Sequence, residues 1–310
     1  MLFTNDRGGR NFAKDPAVII FKNRYFLYFS ALPDNDEKSR GSCIEVGIAV
    51  SDDMEDWKFL GTVPRTQECE AKGIAAPAAI VLKNRVHLFY QTYGSWERDA
   101  ICHAVSDDGI NFVKDETNPV FRPTADWCCG RAIDADVCVF KDKLMLYTAT
   151  RDHAFKIQKI AAATAPINSE FSAKDFTQLC RASVLAPELK WEQDCIEAPA
   201  TAVYGEKLYM FYGGAYNCFP QQIGCAVSSD GRVFDKIFID EPLIACGEQG
   251  SWNSSESGHP YAFCDNDGRY WLFYQGSPDK GNSWYITRTE IGFNENGVPY
   301  KIGCEKEGKV

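Results

Sequence analysis

Three acidic residues lie where apolar, strand-like segments begin, and together they could do acid–base chemistry. Asp15 opens DPAVIIF, Asp134 opens DADVCVF, and Glu197 comes directly before APATAVY. A single acid in such a place is ordinary, because Asp caps turns and Asp15-Pro16 is a common turn opener. Three carboxyls in one concavity are different, because like charges held together raise one another's pKa. Such a cluster is costly unless it is used or bridged by a cation.

An internal repeat indicates that the fold does bring these acids together. Five segments share an apolar strand, a tight turn of Asn, Asp, Gly or Lys, and a second strand rich in aromatic residues. The segments start 61, 58, 64 and 61 residues apart. They are DPAVIIFKNRYFLYFS from Asp15, APAAIVLKNRVHLFYQ from Ala76, DADVCVFKDKLMLYTA from Asp134, APATAVYGEKLYMFYG from Ala198 and HPYAFCDNDGRYWLFYQ from His259.

The period of the repeat indicates the fold. Each hairpin is followed by a further strand that enters a Ser/Asp/Gly turn, as in GIAVSDDMEDWKFL and CHAVSDDGINFVKD, and the fifth copy, WYITRTEIGFNENG, is the weakest. About sixty residues with at least three strands is what a four-stranded propeller blade requires. We therefore predict an all-β fold, a five-bladed β-propeller, as a single domain over residues 1–310. Its blades begin near residues 15, 76, 134, 198 and 259, a period that a β-sandwich would not explain.

A propeller places equivalent positions of its blades around one axis. The first strand of each hairpin lines the central channel, so the first positions of the repeats form a ring at one mouth. This ring holds Asp15, Ala76, Asp134, Ala198 and His259, with Glu197 directly before Ala198. Three carboxyls are therefore expected in one funnel beside a histidine. Asp136 is a weaker candidate than Asp134, because strand alternation turns it to the other face or leaves it in the same loop.

Composition excludes several classes of partner. The 310 residues carry a formal net charge of -10 without a Lys/Arg cluster, which argues against binding of nucleic acid or an anionic membrane. No apolar run is long enough for a transmembrane helix. The N-terminal MLFTNDRGGRNFAKDP lacks a signal-peptide pattern, so a cytoplasmic location is expected, although a trimmed export signal would leave the same sequence.

The cysteines do not indicate a metal or redox site. There are thirteen, an odd number with irregular spacing, and most lie in apolar segments, where free cysteine packs as a small hydrophobe. The adjacent pair Cys128-Cys129 fits neither a zinc pair nor a redox motif.

These motifs give the chain a resemblance to a known family. It resembles glycoside hydrolase family 43 and the wider furanosidase clan that also contains family 32. The resemblance spans nearly the whole chain and rests on KDPAVI at Asp15, AIDADVCVF at Asp134, IEAPATAVY at Glu197 and SGHPYAF at His259. It implies that the propeller is a catalytic domain with Asp15 as general base and Glu197 as general acid. Asp134 would then tune the pKa of the acid and orient it.

The resemblance also implies an axial site near His259, which would hold a calcium ion or a water. Calcium prefers six to eight oxygen ligands and histidine is a poor ligand for it. Most ligands of such an ion are therefore expected to be waters, with His259 beside it.

Two departures from the clan's motifs narrow this interpretation. The family usually shows Trp-Ala-Pro where this chain has Ala75-Ala76-Pro77, so one aromatic wall of the sugar pocket is expected to be missing. The family-32 signatures Asn-Asp-Pro-Asn, Arg-Asp-Pro and Glu-Cys are absent. In their places the chain reads Lys14-Asp15-Pro16-Ala17, Ile133-Asp134-Ala135 and Glu197-Ala198, which lowers the expectation of fructan cleavage.

The implied activity is that of a glycosidase, which hydrolyses O-glycosyl bonds. The resemblance implies an exo-acting, inverting enzyme on arabinofuranosyl or xylosyl linkages of plant-type polysaccharides or oligosaccharides. One protonated carboxyl, one ionised carboxyl and a third acid to raise the first one's pKa suit this chemistry. Candidates for sugar contact are His259 and the loop aromatics Trp127, Trp252, Tyr93 and Tyr216.

Two alternatives remain open at this point. One is a retaining, family-32-like furanosidase in which Asp15 is the nucleophile. The other is a non-catalytic propeller that binds carbohydrate or protein. The three acids argue against the second alternative, whereas the missing tryptophan leaves it open.

Overall fold

The chain forms a five-bladed β-propeller, as predicted, in which each blade is a four-stranded antiparallel sheet. The computed structural model describes residues 2–34 and 44–303. Blade 1 contains β1 (Lys14–Phe21), β2 (Arg24–Ala31), β3 (Glu45–Ser51) and β4 (Lys58–Thr62). Blade 2 contains β5 (Ile74–Leu82), β6 (Arg85–Thr92), β7 (Ile101–Ser106) and β8 (Val113–Lys114). Blade 3 contains β9 (Ile133–Phe140), β10 (Lys143–Arg151), β11 (Gln158–Pro166) and β12 (Thr177–Gln178).

The last two blades have the same order. Blade 4 contains β13 (Ile196–Tyr204), β14 (Lys207–Gly214), β15 (Gln222–Ser228) and β16 (Asp235–Lys236). Blade 5 contains β17 (Glu256–Cys264), β18 (Tyr270–Ser277), β19 (Tyr285–Phe293) and β20 (Pro299–Ile302). The helices of the described residues are 3₁₀ turns at Glu68–Glu70, Trp96–Arg98, Ala173–Asp175 and Lys190–Glu192. Within these residues no helix has the length and apolar character needed to cross a membrane.

The first strands of the blades surround the axis. β1 contacts β5, β5 contacts β9, β9 contacts β13, β13 contacts β17, and β17 returns to β1. The N-terminal segment supports this closure, because the backbone of Phe3 pairs with Ile286 of blade 5 while its ring packs edge-on against Phe29 of blade 1. Equivalent positions on the first strands therefore meet around one channel.

The hairpins form where the sequence predicts them. Lys22 and Asn23 both have positive φ, 50° and 61°, and so do Lys83 and Asn84, at 50° and 58°. Two consecutive left-handed residues are typical of the type I′ turn that matches the twist of the flanking strands. The second strands then carry the fully buried aromatic core, which includes Tyr28, Phe29, Phe89, Tyr90, Tyr147, Phe211, Tyr212, Phe273 and Tyr274.

The Ser/Asp/Gly turns also recur as one local structure. The hydroxyl of Ser51 donates to Asp53, and the same bond joins Ser106 to Asp108, each at 2.9 Å. In both turns the Asp carboxylate then accepts backbone N–H groups two and three residues further on. The repeated sequence motif is therefore a hydrogen-bonded turn that ends the third strand of the blade.

Candidate active site at the propeller mouth

The first strand of every blade bulges at its ring position. The ring residues all have left-handed φ, namely 53° at Asp15, 44° at Ala76, 51° at Asp134, 51° at Ala198 and 46° at His259. The pairing of each first strand with its neighbour is interrupted at the same place. Left-handed backbone costs an L-residue roughly 1–2 kcal/mol, and such strain concentrates at functional sites. The backbone of each blade therefore fixes where the ring side chain starts.

The preceding blade anchors four of these ring residues through the backbone N–H group. The acceptors are Gln275 Oε1 for Asp15 (2.9 Å), Ser30 Oγ for Ala76 (2.8 Å), Gln91 Oε1 for Asp134 (2.8 Å) and Gln221 Oε1 for His259 (3.0 Å). Gln275, Ser30 and Gln91 lie near the end of a second strand, and Gln221 lies directly before β15. The ring is therefore braced from blade to blade.

A histidine joins two of the predicted acids. His259 Nε2 lies 3.3 Å from Oδ1 of Asp15 and 3.3 Å from Oδ1 of Asp134, so these oxygens are at most twice that distance apart. Burial opposes charge on the imidazole, but the two carboxylates outweigh it and raise the pKa of His259 to about 9. The histidine is therefore an imidazolium at neutral pH.

Asp15 is ionised in this environment. Burial alone would raise its pKa, but the charges of His259 and Lys14 and a hydrogen bond from Ser30 hold the pKa of Asp15 below its usual value. Lys14 Nζ lies 4.0 Å from the Asp15 carboxylate. A carboxylate that stays ionised suits a base or a nucleophile.

Glu197 has the opposite environment. It is buried on β13, and burial, followed by the negative charge of Asp134, raises its pKa to about 7. Both of its oxygens accept amide protons, one from Gln158 and one from Gln221 Nε2 at 2.5 Å. The amide orientations are fixed, because Gln158 Oε1 accepts from Arg151 Nε at 2.7 Å and Gln221 Oε1 accepts from the His259 backbone. Glu197 is thus a carboxyl that can be protonated near neutral pH and is held in one place.

Sequence reasoning missed four polar residues of this site. Gln158 and Gln221 hold Glu197, and Lys14 lies beside Asp15 with its Nζ 4.4 Å from the centre of the Trp284 ring. The fourth, Glu256, accepts from Gln275 Nε2 and from the Cys218 N–H, each at 2.7 Å.

The position of one of these four residues in the repeat indicated that it belongs to the site. Lys14 and Glu197 both lie directly before a ring residue, so alignment of the blades could have identified Lys14. The two glutamines gave no comparable signal.

Asp136 lies apart from the cluster. Its carboxylate accepts from the backbone N–H of Thr201 at 3.0 Å and from the Thr201 hydroxyl at 2.5 Å. Burial raises the pKa of Asp136 to about 7. Because Thr201 belongs to β13, this carboxyl joins blades 3 and 4 and does not face the mouth with Asp134.

The aromatic residues expected to contact sugar have different surroundings in the structure. Tyr216 is half-buried, with the Arg151 guanidinium 4.9 Å from its ring. Tyr93 is half-buried, and its backbone N–H bonds to Gly73. Trp127 is also half-buried, with Lys159 Nζ 5.9 Å from its ring.

Trp252 corrects the prediction made for it. Its indole is only 6% exposed and packs 5.8 Å from the Tyr274 ring in the core. The space that it fills exists because residue 276 is glycine, since a Cβ there would come within 2.3 Å of the indole. Trp252 therefore has no face open to a sugar.

His259 does not fit the role of a calcium ligand. Its Nε2 faces two carboxylates as an imidazolium, and a protonated ring has no lone pair for a cation. Among residues 2–34 and 44–303 no group of three or more His, Cys, Asp and Glu side chains could hold a metal ion. An axial ion held mainly by water stays a prediction.

Comparison with known proteins gives one family match and several structures with the same fold. The family model described as Glycosyl hydrolases family 32 N-terminal domain matches residues 8–163. The chain is similar to the structure of a thermostable family-43 glycoside hydrolase, with 19% identity, a TM-score of 0.76, and coverage of 99% of this chain and 98% of that chain. It is also similar to a Bombyx mori family-32 β-fructofuranosidase (16% identity, TM-score 0.70, 94% of this chain, 63% of that chain). At these identities the structural likeness shows the fold alone.

A further solved structure has the same fold. It is an α-L-arabinofuranosidase from Lactobacillus brevis, with 14% identity, a TM-score of 0.71, and 93% of each chain covered. The matched family model and the two structures named by family carry the numbers 32 and 43, which are the families that the sequence motifs resemble.

Proposed function

The chain belongs to the glycosyl hydrolase family whose model is that of the family 32 N-terminal domain, and we propose that its mouth cluster cleaves a terminal sugar from a glycoside. Inversion is proposed from the resemblance of its motifs to family 43, and not from this family model. The enzyme is a glycosidase, which hydrolyses O-glycosyl bonds. The proposed substrates are arabinofuranosyl or xylosyl linkages in oligosaccharides or polysaccharides.

One observation carries the proposed site: three carboxyls from blades 1, 3 and 4 meet in one cluster with different partners. Asp15 and Asp134 share His259 Nε2 at 3.3 Å each, whereas Glu197 is held by two neutral amides. The pKa values support separate roles for the two residues, because the pKa of Asp15 is lowered and the pKa of Glu197 is raised to about 7. Carboxyls whose environments separate their pKa values are the mark of an acid–base pair.

The proposed mechanism has two proton transfers, one from the attacking water and one to the glycosidic oxygen. Asp15 takes a proton from a water, whose oxygen bonds to the anomeric carbon. Glu197 gives its proton to the glycosidic oxygen as the carbon–oxygen bond breaks, and the sugar and the alcohol leave. Asp134 keeps Glu197 protonated through its charge, while His259 and Lys14 keep Asp15 ionised.

The sugar specificity rests on resemblance. The Lactobacillus brevis structure is named as an α-L-arabinofuranosidase and the Bombyx mori structure as a β-fructofuranosidase, and both names refer to furanosides. The residues that flank the three acids differ from the family-32 motifs, which supports arabinofuranosyl or xylosyl over fructosyl substrates.

A second candidate has its own support. The family model that matches is that of family 32, which favours a retaining furanosidase with Asp15 as nucleophile attacking the anomeric carbon directly. The non-catalytic alternative is not retained, because the chain belongs to a hydrolase family and has all three carboxyls.

A substrate screen followed by product analysis tests the proposal. The purified enzyme is offered aryl α-L-arabinofuranoside, aryl β-D-xyloside and sucrose, and proton NMR records the anomer released first. Release of arabinose or xylose with inverted anomeric configuration supports the first candidate. Release of fructose with retained configuration supports the second. Asp15→Asn is the control, and turnover that survives it points to a contaminating enzyme or to a different base.

A further inference from the structure

An aromatic cluster of one exposed and two half-buried rings lies around Arg151 at the end of β10. The Arg151 guanidinium carbon lies 5.6 Å from the ring of Trp96, 5.9 Å from that of Phe155 and 4.9 Å from that of Tyr216. Trp96 and Phe155 stack at 6.4 Å with an interplanar angle of 17°. The three rings come from the loops after β6, β10 and β14, which belong to three consecutive blades. We name this surface the aromatic shelf.

Hydrophobic burial does not explain the position of Trp96. Its side chain is 61% exposed, so most of its apolar surface contributes nothing to folding. Both Trp96 and Phe155 have φ of 57°, a left-handed backbone that is an outlier for bulky residues. Non-glycine residues in such a conformation persist only where surrounding contacts hold them, and they cluster at ligand-binding sites.

A second arginine also contacts the indole. The Arg131 guanidinium lies 5.3 Å from the Trp96 ring and pairs with Asp99 at 3.5 Å. Arg131 and Asp99 are both buried. The exposed ring therefore rests on a fixed, charged support, which is the arrangement of a contact surface prepared in advance of its ligand.

Two hydrogen bonds connect the shelf to Glu197. Arg151 Nε donates to Gln158 Oε1 at 2.7 Å, and the Gln158 amide donates to the Glu197 carboxyl. In the proposed reaction Glu197 protonates the oxygen that departs with the leaving group. The leaving group must therefore lie on the Glu197 side of the cluster, away from Asp15, and this is the side that carries the shelf.

We propose that the aromatic shelf is the leaving-group subsite, where a second sugar ring stacks on Trp96 and Arg151 donates hydrogen bonds to its oxygens. This inference rests on the proposed function and adds that the leaving group is a saccharide. An indole face suits the C–H face of a sugar, and a guanidinium offers donors only, which matches ring and hydroxyl oxygens.

Calorimetry on an inactive enzyme tests the shelf without requiring turnover. The Asp15→Asn variant is titrated with α-1,5-arabinobiose and β-1,4-xylobiose, and with arabinose and xylose as single-ring probes. Trp96→Ala in the same background should weaken binding of the preferred disaccharide about tenfold, which corresponds to roughly 55 Å² of apolar contact left in water. Binding of the corresponding monosaccharide should not change.

Two further variants separate a subsite from a general loss of structure. Trp96→Phe retains an aromatic face and should recover most of the affinity for the disaccharide. Tyr300→Ala removes another exposed aromatic, 48% exposed on the outermost strand of blade 5, and should change neither affinity. Melting temperatures of all variants are measured to show that each is folded.

The outcomes distinguish the two proposals. If the wild-type enzyme hydrolyses neither disaccharide, the proposed substrate class fails, while the titrations still report on the shelf. Equal losses for disaccharide and monosaccharide would place Trp96 in the pocket of the sugar that is transferred. An unchanged disaccharide affinity in Trp96→Ala, or no binding of either disaccharide to Asp15→Asn, would overturn the shelf as a leaving-group subsite.

Discussion

Replacing Asp134 by Asn should move the alkaline limb of the pH profile to lower pH. Glu197 acts when protonated, so activity falls as the pH rises through its pKa. Burial and then the Asp134 charge raise that pKa from 4.5 to about 7. Asn keeps the shape of the side chain and removes the charge, so the pKa of Glu197 must decrease. The loss of Asp134 also leaves His259 less neutralised, which lowers the pKa of Glu197 further.

The size of the shift follows from Coulomb's law. Taking about 7 Å as the separation of the two carboxyls, the charge of Asp134 acts on Glu197 with roughly 2 kcal/mol at an effective dielectric constant of about 20, which equals between one and two pKa units. Burial is the largest cause of the raised pKa and is not altered by the substitution. We therefore expect the lower end of the range, with the alkaline limb moving from about pH 7 to about pH 6.

The assay is the pH dependence of kcat/KM, which reports the pKa values of the free enzyme. Asp136→Asn is the matched control, because it removes a buried carboxylate two residues away that is bonded to Thr201 and should leave the limb in place. An alkaline limb that is unmoved or moved upward in Asp134→Asn would refute the argument that the charge of Asp134 sustains the protonated acid.

Three other predictions follow from the same site and ring. Asp15→Asn should abolish hydrolysis of every substrate. Glu197→Gln should lower the hydrolysis rate about 10²–10⁴-fold for a sugar leaving group and much less for an activated aryl glycoside. Equal losses for both substrates would show that Glu197 is not the acid. The imidazolium of His259 indicates that no protein-held calcium is required, so chelation with EDTA should leave activity and melting temperature unchanged. A fall in either quantity that calcium restores would show that calcium is required. Because Ala76 has a φ of 44°, Ala76→Gly should destabilise the protein by at least about 1 kcal/mol less than Ala78→Gly in the same strand, as measured by urea unfolding; equal losses would mean that the ring position is not strained.

The fold and the ring were predictable because their signals are local and repeated. A hairpin is encoded by adjacent residues, such as the Lys22-Asn23 turn, and five copies in register identify equivalent positions without knowledge of contacts. Asp15, Asp134 and Glu197 were found in this way. Comparison of the five copies distinguishes these acids from the many acids that only end strands. A single segment does not allow this distinction.

The remaining parts of the site depend on contacts between loops that do not repeat. Gln158 begins β11 and Gln221 lies in a loop, and nothing in their local sequence indicates that both meet Glu197. Trp96 is presented by a left-handed backbone that its sequence does not favour. Trp252 appeared exposed because it lies in a loop, but the glycine at position 276 opens a core space for it from a distant strand.

The left-handed ring has an evolutionary consequence. Each of its five positions is shaped by backbone geometry, and two of them, Ala76 and Ala198, hold only a methyl group. A mutation there to Asp would introduce a further carboxyl into the mouth, at a position whose backbone already has the left-handed conformation of Asp15 and Asp134. Duplicated blades thus supply interchangeable starting points from which new arrangements of acids could arise by single substitutions, while the scaffold around them stays the same.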